Sequence, residues 1–70
     1  MRYLIVIEKT PSGYSAYSPD LDGCVATGAT RDEVERMMRE AVELHLEGLK
    51  ADGAEAPEPH TFATYVEVAA

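Results

Sequence analysis

Seventy residues make one domain, residues 1–70, and a domain this small buries only about 60% of its unfolded surface, so a staple or a partner is expected. Thirteen acidic residues against six basic ones leave a net charge of −7, which repels phosphate backbones and argues against direct nucleic-acid binding. Cys24 is the only cysteine and no stretch nears the roughly 20 apolar residues of a membrane span, so an internal disulfide and a spanning helix are excluded and a soluble cytoplasmic protein is the reading.

Residues 2–8 predict the first strand. Met1, Tyr3, Ile5 and Ile7 alternate with Arg2, Leu4, Val6 and Glu8, so both faces are apolar in the middle, as in a strand covered on two sides. Glu8 and Lys9 end the apolar run far short of a signal-peptide core. Thr10-Pro11-Ser12-Gly13 reads as a turn, with Pro11 presetting φ and Gly13 tolerating a positive φ. Residues 14–18 return as the hairpin partner. Pro19 ends that strand because it lacks an N–H, Asp22-Gly23 reverses the chain, and residues 24–28 form a short third strand.

Thr30-Arg31-Asp32-Glu33 is a capping box. The Thr30 hydroxyl accepts from the Glu33 amide while the Glu33 carboxylate reaches back, and Asp32 and Glu33 suit the helix dipole. The helix spans 31–51 on the stripe Val34, Met37, Met38, Ala41, Leu44, His45, Gly48, Leu49. Arg36, Arg39, Glu40, Glu43, Glu47 and Lys50 take the other side, with Asp32–Arg36, Glu35–Arg39 and Arg39–Glu43 spaced for ion pairs. Gly53 is the C′ residue. A connector with Pro57 and Pro59 follows, and residues 61–68 predict a fourth strand, with Phe62, Thr64, Val66 and Val68 on one side and Ala63, Tyr65 and Glu67 on the other.

The order β-β-β-α-β predicts an α+β fold: a four-stranded sheet of order 3-2-1-4 with one long helix crossing one face. The other face carries Leu4 and Val6 with nothing to cover them. An uncovered apolar face marks an interaction site, so a homo-oligomer (dimer or tetramer), a hetero-complex or both are expected. Tyr17 and Tyr65, if they lie on that face, are natural interface anchors; each is equally readable as a half-buried ring with a wet hydroxyl. The acidic charge favours a basic partner, or serves solubility alone.

Candidate chemistry is sparse. Glu8, Asp20 and Asp22 would have to converge to hold a divalent ion, but Asp20 and Asp22 sit where turns favour Asp for its own backbone bonds. Cys24 and His45 form a nucleophile pair only in name. His45 lies in the apolar stripe, and no oxyanion donor or third orienting group is visible. Met37 and Met38 could form an adaptable binding surface, but at this spacing core packing is the better reading. No catalytic residue, metal ligand or cofactor is assigned.

The strand Tyr3–Glu8, the Gly13-Tyr14 turn, Pro19-Asp20-Leu21-x-Gly23-Cys24, the Thr30-x-x-Glu33 helix start, Ala41-x-x-Leu44-x-Leu46-x-Gly48-Leu49 and Ala56-Pro57-Glu58-Pro59 together resemble the HicB-like antitoxin domain over nearly the whole chain. The chain departs from that pattern at Asp22, where a proline is usual; Asp-Gly is itself a turn former. The resemblance implies a partial RNase H-like fold without its catalytic carboxylates. It also implies a non-enzymatic antitoxin of a type II toxin–antitoxin module, whose partner is a small basic mRNA-cleaving toxin of the HicA type. Leu4, Val6, Tyr17, Asp20, Leu21, Asp22 and Tyr65 are the expected partner-binding residues; Gly13, Gly23, Thr30, Glu33 and Gly53 are structural. Many members of the family also carry a C-terminal DNA-binding segment, and with the chain ending just after the fourth strand the expectation here is none. The alternatives are an orphan oligomeric interaction module with another partner and a degenerate metal-dependent nuclease built on Glu8, Asp20 and Asp22.

Overall fold

Pro11 and Ser12 make the two-residue connection of a hairpin whose strands are β1 (Val6–Thr10) and β2 (Gly13–Tyr17), seen in a computed structural model that describes residues 1–70. Thr10 faces Gly13 and Val6 faces Tyr17. The ladder starts at Val6, later than the expected residue 2, because β2 ends at Tyr17 and leaves Leu4 and Ile5 without a strand opposite them. There the Ser18 hydroxyl donates to the Leu4 carbonyl at 3.0 Å. A third strand, β3 (Val25–Gly28), pairs antiparallel with β2, Tyr17 opposite Val25 and Tyr14 opposite Gly28.

Between β2 and β3 the chain makes a tight loop. The Cys24 amide donates to the Leu21 carbonyl at 3.3 Å and the Leu21 amide to the Ser18 carbonyl at 3.2 Å. Gly23 holds φ +76° at the third position of the Leu21–Cys24 turn, a conformation that favours glycine. Asp22 therefore stands at the second position, where turns of this kind take proline readily.

The helix α1 (Arg31–Ala51) has the expected limits. At its start the Thr30 hydroxyl accepts from the Glu33 amide at 3.1 Å; the return bond from the Glu33 carboxylate is not formed. At its end the Ala54 amide donates to the Leu49 carbonyl and the Gly53 amide to the Lys50 carbonyl, with Gly53 at φ +73°. These two bonds satisfy carbonyls that would otherwise be orphaned at the helix terminus. Of the i, i+4 pairs, the one that closes is Arg31–Glu35, at 3.1 Å on the exposed surface.

The core is small: Ala16, Leu21, Cys24, Val34 and Met38, flanked by Tyr3, Ile5, Ile7, Tyr14, Ala26, Ala41, Val42 and Leu46. The helix lies over β3 and β2 and touches β1 only lightly. Its buried stripe is turned from the expected one. Val34 and Met38 are fully buried, Val42 and Leu46 pack on the core, and Met37 (39% exposed) and Leu44 face outward. Nine apolar positions in 21 helical residues fit two neighbouring stripes, and the sheet selects one.

Residues 61–68 form no strand. The sheet has three strands in the order β1-β2-β3, which corrects the expected four-stranded sheet of order 3-2-1-4. The α+β class stands. After α1 the chain runs past the N-terminal side of β1, where the Tyr3 hydroxyl donates to the Pro57 carbonyl, and from Phe62 onward it leaves the body of the domain. Alternating residues make a segment fit to be a strand, but a strand also needs an edge to pair with, and this segment is held away from its own.

Candidate interaction surface and the Asp20 anchor

Asp20 is the best-built polar site in the molecule. Its side chain is fully buried. Oδ2 accepts from the backbone amides of His60 at 3.1 Å and Thr61 at 3.2 Å, while Oδ1 accepts from the Thr61 hydroxyl at 2.6 Å. His60 Nδ1 lies 3.1 Å from the same Oδ1. The Thr61 hydroxyl first, and then the His60 and Thr61 amides, hold the carboxyl below its ordinary value against the opposing effect of burial. Both oxygens are thus occupied in joining the β2–β3 loop to the C-terminal segment. Asp20, expected at a partner contact, is an internal anchor in this structure.

Leu21 is likewise part of the fold. It fills the core beside Val34 and Met38 of α1, on a turn closed by the hydrogen bonds on either side of it. Asp22 stays exposed at the tip of the same turn and Glu8 is exposed on β1. No three His, Cys, Asp or Glu side chains come together as a cation site would need, and Asp20 has no free oxygen to lend, so the nuclease alternative has no geometry behind it. Cys24 is buried among apolar neighbours, and that burial pushes its thiol pKa up, away from the thiolate a nucleophile requires.

The sheet face opposite the helix is open. The register sets Val6, Tyr17 and Val25 side by side across three strands, with Leu4 preceding Val6 on the same side of the chain. Tyr17 is exposed and Val25 is 66% exposed. Glu8, Ser15 and Thr27 form the next row, so the face is an apolar band beside a polar one. Val25 was absent from the expected set, although its place one residue after Cys24 in the third strand carried the signal.

A second exposed apolar element is the C-terminal arm. Phe62 is 93% exposed and Tyr65 fully so, and Val66 and Val68 are largely bare. Tyr65 therefore lies on the arm and not on the sheet face. Beside β1 on the helix side runs a groove of about 560 Å³, floored by Tyr3, Ile5, Ile7 and Val42 and rimmed by Arg31, Glu35, Arg39 and Glu43. No helix is long and apolar enough to cross a membrane. An apolar band, a bare arm and an acidic surface are equipment for binding protein.

Comparison with known proteins agrees with this. Residues 3–69 match the model of a family described as the HicB-like antitoxin of bacterial toxin–antitoxin systems. A protein of Haemophilus phage HP1, described as an uncharacterized 14.9 kDa protein of the rep-hol intergenic region, is 36% identical over 66 residues, covering 94% of this chain and 50% of its own. A UPF0150 protein of Helicobacter pylori is 49% identical over 47 residues, 67% of this chain and 65% of that one. The chain thus spans half the length of the phage relative. Among solved structures, one in the HicA3 and HicB3 toxin–antitoxin complex superposes with a TM-score of 0.72 at 37% identity, over 86% of this chain and 70% of that chain. The crystal structure of the antitoxin HicB3 gives 0.70 at 38% identity, over 81% and 42% respectively.

Proposed function

The chain belongs to the HicB-like antitoxin family of bacterial toxin–antitoxin systems, and from that premise we propose that it neutralises a small, basic, mRNA-cleaving toxin of the HicA type by binding it, doing no chemistry itself. The observation that carries this reading is the likeness, at 37% identity over most of the chain, to a protein in the HicA3 and HicB3 complex.

The physical properties of the domain support it. A net charge of −7 draws a cationic ribonuclease from a distance and raises the encounter rate. Once docked, the same carboxylates occupy the cationic surface on which the toxin would seat the phosphates of its RNA. The band Leu4, Val6, Tyr17 and Val25, with Asp22 at its margin, offers an aromatic anchor inside an apolar patch, the composition of an interface centre. The protein works in the cytoplasm, makes no direct contact with nucleic acid through this domain, and assembles with itself as well as with the toxin.

Co-expression with the small basic protein encoded beside it, followed by copurification and an RNA-cleavage assay, tests the proposal. The expected result is a complex stable in low salt and loss of cleavage at equimolar protein, with Val25→Asp restoring cleavage. Retention of full ribonuclease activity at a several-fold excess of this protein sinks the reading.

A further inference from the structure

We propose that the outward face of α1, centred on Leu44, is a docking site for an amphipathic helix with Lys or Arg along its flank, contributed by a basic protein partner.

The helix carries a second apolar stripe that the sheet does not use. Met37, Ala41, Leu44, Gly48 and Ala51 follow one another at alternating steps of four and three residues, the spacing by which one helix packs along another. The fold turns Val34 and Met38 into the core and leaves this stripe outside. Leu44 is 68% exposed, and Met37, Gly48 and Ala51 are exposed with it. Nothing lies within 4 Å of where a Cβ on Gly48 would stand, and with Ala41 one turn away another helix axis can come close at that point. Toward the start of α1 the stripe runs into a depression of about 520 Å³, lined by Met37, Glu33, Thr10, Tyr14 and Thr27.

The charge beside the stripe chooses its occupant. Glu33, Glu40 and Glu47 recur at steps of seven residues, so at about 100° of helical turn per residue they form one row along the solvent flank of the seam. None of the three closes an ion pair; on α1 the pair that closes is Arg31–Glu35. A facing helix with Lys or Arg at its own flanking positions answers the whole row. A second copy of this chain does not. Packed antiparallel, it sets Glu40 of each copy against Glu47 of the other; packed parallel, it sets Glu47 against Asp52. The stripe and the band of Val6, Tyr17 and Val25 lie on opposite sides of the domain, so the site does not depend on the toxin-binding reading and both surfaces can be filled at once.

The experiment uses the full chain and a synthetic helical peptide of about three heptads, with Leu at its seam positions and Lys at the flanking ones. A peptide with Glu in place of Lys is the control. Fluorescence anisotropy is expected to show saturable binding of the Lys peptide and none of the Glu peptide. Amide shifts in the NMR spectrum should move at Ala41, Leu44 and Gly48 and stay in place at Tyr17 and Val25. Leu44→Ala, at an exposed position, is expected to weaken binding about tenfold or more. Glu40→Lys combined with Glu47→Lys should transfer the preference to the Glu peptide, with circular dichroism showing that both variants fold. No binding of the Lys peptide overturns the proposal, as do equal binding of the two peptides, shifts confined to Tyr17 and Val25, or affinity undiminished by Leu44→Ala. Isotope-filtered NOEs between Leu44 methyls of two copies overturn it as well, by giving the stripe to a second copy.

Discussion

The Asp20 carboxylate and the Thr61 hydroxyl meet at 2.6 Å across 41 positions of sequence, and this contact decides where the last nine residues go. It is reinforced by two amides donating to the other oxygen. Asp20→Asn sets an NH2 group against donors whichever way the amide is turned, so one side of the anchor is always lost. The His60 and Thr61 amides should then exchange with solvent as fast as those of the arm, while amides of β2 stay protected. Unchanged exchange at both residues would show that the carboxylate is not what holds the arm.

The same anchor has a pH dependence of definite sign. Its folded pKa is lowered, by the Thr61 hydroxyl above all, so the unfolded state binds the proton more readily. The stabilisation is complete above the ordinary Asp value of about 3.9 and is lost as pH falls through the lower folded value. His60 and Thr61 amide protection should be flat from neutral pH down to about 5 and collapse only below the ordinary Asp value. An NMR titration follows this directly, and release of the arm near pH 6 would contradict it.

Two adjacent methionines should differ sharply. Met38 is fully buried beside Val34 and Leu21, whereas Met37 is turned outward. Met38→Ala should cost about 2–5 kcal/mol, a large share of the stability of so small a domain, and Met37→Ala no more than about 0.5 kcal/mol. Urea denaturation of the two variants measures both; equal losses would mean the helix is rotated from the orientation described.

Glycines also divide into two kinds. A Cβ on Gly28 would lie 2.8 Å from the backbone nitrogen of Val34 and 3.1 Å from its Cβ, where β3 passes under the first turn of α1. Gly28→Ala should therefore destabilise by about 1–3 kcal/mol. Gly48, in the exposed helix with nothing within 4 Å of its position, should gain up to about 1 kcal/mol as Ala. Thermal and urea melts of the pair read out the difference.

What the amino-acid order determined by itself is everything carried by short-range chemistry. The Thr30 hydroxyl four residues before Val34, the glycine at 53 and the Pro11-Ser12 connection each act within a few positions, and α1 and the hairpin follow with nearly the expected limits. The open apolar band was legible too, through the alternation of Leu4 and Val6, though Val25 was not counted in it. The helix stripe, the role of Asp20 and the fate of residues 61–68 were decided only by the folded whole. Leu21, expected at a partner contact, is buried in the core once α1 lies over it, and Asp20, read as a turn former, becomes an anchor only when His60 and Thr61 arrive from the far end of the chain. A cap or a turn is satisfied by neighbours in sequence, but a strand needs an edge and a buried carboxylate needs donors, and those partners exist only once distant segments have met.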